Sequence, residues 1–218
     1  MQKTLKKAFA AAVLGGAFLV LILLLKTVDV KTIGPNGSSV GFAALNGAFF
    51  RLTGEIDALY KLSEIIGYLA LLSAVFFAFL GLLQLVKGRK LSAVDKDLYL
   101  LGAYYVVVLA VYLLFEKVVI NCRPILEDGR LAASFPSSHT MLGITFFGAA
   151  ALEFKNRLND AKLRRIAVIA CQGFVLLIVL LRLFCGWHWL TDVIGGVLIG
   201  TALLLAFSAL QDRLLEKA

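Results

Sequence analysis

Six apolar stretches, at roughly 8–25, 62–86, 98–116, 138–154, 166–181 and 191–210, dominate this 218-residue chain. A bilayer core needs about twenty apolar residues per helical crossing, and its interior leaves no water to satisfy a free backbone. A chain built this way is expected to be an all-α integral membrane protein with six transmembrane helices in a single domain spanning 1–218. The fourth and fifth stretches are short for the hydrocarbon and are expected to extend into their flanks. All three prolines (Pro35, Pro124, Pro136) fall between the stretches, where helix starts and turns tolerate them.

Composition agrees. The chain is 61% hydrophobic and 17% charged, against about 45–50% and 25% in soluble domains, which excludes a soluble globular or disordered protein. The net charge of +8 would suggest nucleic acid in a soluble protein. In a membrane protein it reflects cytoplasmic Lys and Arg, and no nucleic-acid partner is expected. With the N-terminus cytoplasmic, 14 of the 22 cations, from Lys3 to Lys217, fall on inner segments and eight on outer ones. The positive-inside rule therefore favours a multi-pass protein of the plasma membrane with both termini cytoplasmic. The first stretch follows Lys3, Lys6 and Lys7 but is too long for a signal core and lacks a small-residue cleavage site, so it reads as a retained helix.

The outer loop 26–61 contains turn chemistry at 33–39 and then Phe42, Leu45, Phe49 and Leu52 at helical spacing, with Asn46 and Arg51 off that face. This predicts a short amphipathic helix at the outer interface, either a lid packed on the bundle or a gate for substrate entry.

Ionisable residues at membrane depth are functional hypotheses by default. The only two histidines, His139 and His188, both fall at outer helix ends. Lys117 and Arg123 follow the third stretch, Arg182 ends the fifth, and Asp192 enters the sixth, so distant segments bring cations, imidazoles and a carboxylate to one membrane surface. His188 and Asp192 are spaced i, i+4, which lets a carboxylate fix the imidazole tautomer and leave the other nitrogen as nucleophile or base; a helix-capping pair is the alternative. Pro136-Ser137-Ser138-His139 reads as a helix start, whose free N–H groups form an anion site. Gly186 permits a break that turns Arg182 and His188 inward together. Trp187 and Trp189 read as interfacial anchors. No cluster of carboxylates suggests a metal, and no cofactor is expected.

These residues resemble the type 2 phosphatidic acid phosphatase superfamily, membrane lipid phosphatases related to vanadium haloperoxidases. Its motifs are a Lys followed by Arg-Pro, then Pro-Ser-Gly-His, then Ser-Arg with five residues before His and three more before Asp. They are matched in order by Lys117 through Arg123-Pro124, by Pro136 to His139, and by Leu181-Arg182 with His188 and Asp192. Three departures stand out: five residues rather than six separate Lys117 from Arg123, Ser138 replaces the glycine, and Leu181 replaces the serine.

The resemblance implies that Lys117, Arg123, Arg182, Ser137 and Ser138 bind phosphate, and that His188, oriented by Asp192, attacks phosphorus. It implies too that His139 protonates the leaving group and then activates water, all without metal. The expected substrate is a lipid phosphate or diphosphate in the outer leaflet, polyisoprenyl diphosphate ahead of phosphatidate or phosphatidylglycerol phosphate. The alternative is a non-catalytic lipid-phosphate binding or transport protein. Cys122 and Cys185 adjoin the two arginine motifs, so either a disulfide or buried thiols would fit. Gly196 and Gly200 read as a close helix contact, within the chain or between chains. The oligomeric state is not legible.

Overall fold

The structure is a computed structural model that describes residues 1–216; Lys217, counted among the inner cations, lies outside the described residues. Six long helices form the bundle: α1 (Gln2–Thr27), α3 (Asp57–Gly88), α4 (Lys96–Lys117), α5 (Ser138–Arg157), α6 (Ala161–Phe184) and α7 (Leu190–Leu215), with the short α2 (Ala43–Thr53) between α1 and α3. Five of them are long and apolar enough to cross a membrane; α5 is not among these. At 20 residues it reaches about 30 Å, enough for the hydrocarbon, but it carries His139, Thr140, Thr145 and Glu153 and buries half its length. Such a helix is stable in a bilayer only where other helices shield it. α5 accordingly packs against α3, α6 and α7, while α1 lies on α7. The short fourth and fifth stretches do lengthen into their flanks, as helices of 20 and 24 residues.

The apolar core joins α3 to α7 through Phe77, Leu101, Val108, Phe146, Ile178 and Phe207, and a second cluster sets Phe18 of α1 against Phe115 and Phe135. Leu19, Leu23, Leu72, Phe79, Val106 and Leu176 face outward, as lipid contact requires. Gly196 and Gly200 pack within the chain: a Cβ on Gly196 would stand 2.8 Å from the Ser137 carbonyl, and one on Gly200 3.2 Å from that of Met141. This close approach presses the start of α5 against the start of α7.

Opposite the histidines, ion pairs tie the helix ends together. Arg157 meets Asp95 at 2.8 Å, Asp97 at 2.6 Å and the buried Glu153 at 2.8 Å; Lys7 meets Asp212 at 2.6 Å, and the N-terminal ammonium meets Glu216 at 2.9 Å. Two of the cations used to argue topology, Lys7 and Arg157, are thus also structural.

α2 forms where the spacing predicted a helix, but it turns a different face inward. Ala43, Asn46 and Gly47 are buried, whereas Leu45 and Leu52 are 49% and 82% exposed. Asn46 decides this orientation. Its amide donates to the Gly41 carbonyl (2.8 Å) and to Thr191 Oγ1 (3.0 Å), and its carbonyl accepts the Thr191 N–H (3.2 Å). A fully satisfied buried amide is a strong anchor, and it clamps α2 onto the first turn of α7. Leu45 and Leu52 are left facing away from the bundle, as suits a helix at a lipid surface.

Candidate active site

The site forms where α6 stops and α7 begins. α6 ends at Phe184, and Gly186 takes φ of +76°, a left-handed conformation that glycine adopts without strain. A Cβ there would strike the backbone carbonyl of Gly54, because the Ile56 N–H donates to the Cys185 carbonyl at 3.0 Å and holds the two loops together. The turn brings Arg182 back toward His188 as expected: Arg182 Nη2 lies 3.0 Å from His188 Nε2. A guanidinium can only donate, so Nε2 accepts and carries the lone pair, and the ring proton resides on Nδ1.

Arg182 is fully buried. Its Nη1 donates to Ser63 Oγ at 2.9 Å and to Glu64 Oε1 at 3.2 Å. The same Glu64 oxygen stands 3.1 Å from His139 Nε2, so one carboxylate oxygen connects the second histidine to the arginine beside the first. Burial, and then the charges of Arg182 and Arg123, hold the His188 imidazole well below the usual histidine range. A neutral ring with its lone pair on Nε2 is the nucleophilic form once the arginine's hydrogen bond is given up.

Arg123 comes in from the α4–α5 connection. Its guanidinium sits 5.7 Å from the centre of the Trp187 ring and 3.4 Å from Glu127, and its Nε and Nη1 are buried without a hydrogen bond. Trp187 stacks on Tyr60 at 3.7 Å and 11°, and Arg182 lies 5.3 Å over the other ring of that stack. The two arginines thus bracket an aromatic pair. The tryptophans are therefore not interfacial anchors: Trp189 is 2% exposed and donates Nε1–H to the Cys122 carbonyl at 2.7 Å, stitching the Arg123 segment to the start of α7.

Two of the expected site residues make other contacts. Asp192 Oδ2 is 3.7 Å from His188 Nδ1, too far for a hydrogen bond. It accepts the Trp189 N–H at 2.9 Å instead, so Asp192 chiefly caps α7 and fixes the histidine through the loop. Ser137 is fully buried: its N–H donates to the Asp192 carbonyl (2.9 Å) and its Oγ accepts from Thr140 (3.0 Å). It locks α5 to α7 rather than offering a free donor. Ser138 borders a crevice of about 10 Å³ next to His188, with Tyr112, Phe115, Glu116, Phe135 and Met141 among the other walls.

Lys117 stays outside the cluster. Tyr112 and Phe115 are half-buried on the inward face of α4; Glu116 and Lys117, the last two residues of the helix, are both exposed, and of the two only Glu116 borders the crevice beside His188. Cys122, Cys171 and Cys185 are all free thiols, which settles against a disulfide. Among the described residues no three of His, Cys, Asp and Glu converge to hold a metal ion.

Sequence reasoning missed Glu64, Tyr60, Ser63 and Glu116. A signal existed for Glu64, an acidic residue at the edge of the second apolar stretch, where charge is costly. Tyr60 and Ser63 lie four residues and one residue before it and carried no pattern of their own.

Residues 100–216 match the family model described as PAP2 superfamily. Among solved structures the chain is similar to "the first transmembrane PAP2 type phosphatidylglycerolphosphate phosphatase from Bacillus subtilis", with a TM-score of 0.63, 18% identity, and coverage of 94% of this chain and 97% of that one; at this identity the likeness is one of fold. No curated protein matches the sequence.

Proposed function

The chain belongs to the PAP2 superfamily, and from that membership we propose that it is an integral membrane phosphatase that hydrolyses a lipid phosphomonoester or diphosphate through a phosphohistidine. The observation that carries the reading is the contact between Arg182 Nη2 and His188 Nε2. It pairs a neutral, correctly tautomerised nucleophile with a buried guanidinium beside it.

In the proposed reaction Arg182 redirects its Nη2–H hydrogen bond from His188 to a phosphoryl oxygen, releasing the Nε2 lone pair, and Arg123 donates hydrogen bonds to the other phosphoryl oxygens. Nε2 attacks phosphorus as the bond to the leaving oxygen breaks, and His139 supplies the proton that oxygen takes up. In the second step His139 removes a proton from water, whose oxygen attacks phosphorus and restores His188. The first N–H groups of α5, beside Ser138, are aligned to hold negative charge, and the guanidiniums supply positive charge where a metal-dependent phosphatase would use a cation. Asp192 and Ser137 act as positioning residues for the His188 turn, and Lys117 has no part in the cradle.

The excess of Lys and Arg at the opposite end supports a cytoplasmic location for both termini and an outward-facing site. That orientation favours a lipid headgroup in the outer leaflet of a plasma membrane, with polyisoprenyl diphosphate, phosphatidate and phosphatidylglycerol phosphate as the candidates. The fold likeness to a phosphatidylglycerolphosphate phosphatase keeps the last of these in view. The test is phosphate release by detergent-purified protein from all three lipids in parallel, with EDTA present and His188→Ala as control. Release from at least one lipid, lost in the variant, is the expected result. A folded wild type that releases nothing would leave a lipid-phosphate binder in its place.

A further inference from the structure

Glu64 Oε1 touches both Arg182 Nη1 and His139 Nε2, at 3.2 and 3.1 Å. These are the two groups to which the proposed reaction assigns a phosphoryl oxygen and the proton for the leaving group. A single carboxylate oxygen therefore makes the contacts that a single phosphoryl oxygen would make. Arg182 is wholly buried, whereas Glu64 and His139 keep 27% and 24% of their side chains exposed, so the carboxylate occupies the accessible side of the guanidinium. Ser63 takes the other hydrogen bond of the same Nη1 from within α3 and would hold Arg182 in place when Glu64 withdraws.

Resting on the phosphatase reading, we propose that Glu64 is a resident anion that a substrate must displace, and that it sets specificity by charge. The carboxylate carries one negative charge. A phosphodiester headgroup also carries one, on oxygens of a bulkier group, and gains nothing in Coulomb terms by the exchange. A phosphomonoester or terminal diphosphate carries close to two, and its second charge finds Arg123, whose Nη1 is buried without a hydrogen bond and whose Nε has only the long 3.4 Å ion pair with Glu127. Bilayer phosphodiesters vastly outnumber any phosphomonoester, so a cradle of bare guanidiniums would be occupied by them. Glu64 excludes these abundant monoanions while yielding to the scarce dianion.

Glu64→Gln keeps size and removes charge. Its prediction is that inorganic phosphate binds about tenfold tighter, read both as product-inhibition constant and by equilibrium dialysis of labelled phosphate. Phosphatidylglycerol, added to mixed micelles, should become a competitive inhibitor of the variant at concentrations that leave the wild type unaffected. Glu64→Asp withdraws the oxygen by one methylene and should tighten phosphate binding at least threefold, which keeps the idea testable if the glutamine variant does not fold. Unchanged or weaker phosphate binding in both variants would overturn the proposal. So would a collapse of kcat with no change in phosphate binding, which would make Glu64 a positioning residue for His139. Dialysis needs no turnover: a wild type that binds phosphate without hydrolysing lipid would defeat the phosphatase reading and still leave the Glu64 comparison measurable.

Discussion

Trp187 offers the sharpest mutational test of how the arginines are held. Its ring lies 5.7 Å from the Arg123 guanidinium and stacks at 3.7 Å on Tyr60, which in turn underlies Arg182 at 5.3 Å. Arg123 keeps only 11% of its side chain exposed, so its cation–π contact belongs toward the stronger end, about 1–2 kcal/mol. The parallel pair with Tyr60 adds about 1 kcal/mol, of which only the part that orders Arg182 bears on the reaction. Removing the ring should therefore cost about 2 kcal/mol in transition-state binding, or about 30-fold in kcat/KM. The guanidinium holds the phosphoryl group in ground and transition states alike, so most of the loss should appear as a raised KM. The assay is phosphate release in mixed micelles for wild type, Trp187→Phe and Trp187→Ala. The phenylalanine variant keeps a π face and should lie within about fivefold of wild type. In an Arg123→Ala background, Trp187→Ala should cost less than about threefold, because the two share one interaction. A Trp187→Ala enzyme within about twofold of wild type would refute the bracketed-stack account, as would full additivity with Arg123→Ala.

Arg182→Lys keeps the charge and loses the fork that reaches Ser63, Glu64 and His188 together; kcat/KM should fall about 100- to 1,000-fold, in line with removal of an oxyanion donor, and a loss under about tenfold would count against the geometry. Because His188 is buried neutral with its pKa held low, unfolding takes up a proton below the unfolded value near 6.5. Stability from this site should be complete above that pH and decline by up to about 1.4 kcal/mol per pH unit as pH falls toward the folded pKa. As pH falls from 8 to 5, the thermal midpoint in detergent of wild type should drop relative to that of His188→Gln, so that the difference between them isolates the histidine; parallel curves would contradict the burial of a neutral ring. Asn46→Ala leaves the Gly41 carbonyl and the Thr191 N–H without their buried partner and should cost about 1–3 kcal/mol, seen as a lower midpoint, whereas an unchanged midpoint would mean that α2 is not anchored there.

The helices were legible because membrane helices announce themselves by length and apolarity, and their ends lengthened by short flanks that carry the charged residues hydropathy omits. α5 shows the limit, since its polar face carries both the chemistry and the packing. The histidines and arginines were legible because charge is rare in such a chain and motif spacing survives in sequence. Partnerships were less so. The i, i+4 spacing of His188 and Asp192 said that they share a helix face, but α7 starts at Leu190, after the histidine, and the carboxylate is taken by the cap. Lys117 shows the same point in reverse, lying two residues past Phe115, the last half-buried residue of α4. Glu64 sat in the wrong motif altogether: its role comes from α3 packing beside α5 and α6, which no local pattern encodes.

The central claim is that His188 is the nucleophile. The direct measurement is acid-sensitive trapping: rapid base quench of enzyme turning over a lipid labelled with ³²P in its terminal phosphate, followed by mass spectrometry of the labelled peptide. The account predicts an alkali-stable, acid-labile label on His188, absent from His188→Gln and accumulating in His139→Ala if the second step slows more than the first. Steady turnover with no label on His188, or the same label in His188→Gln, would contradict it.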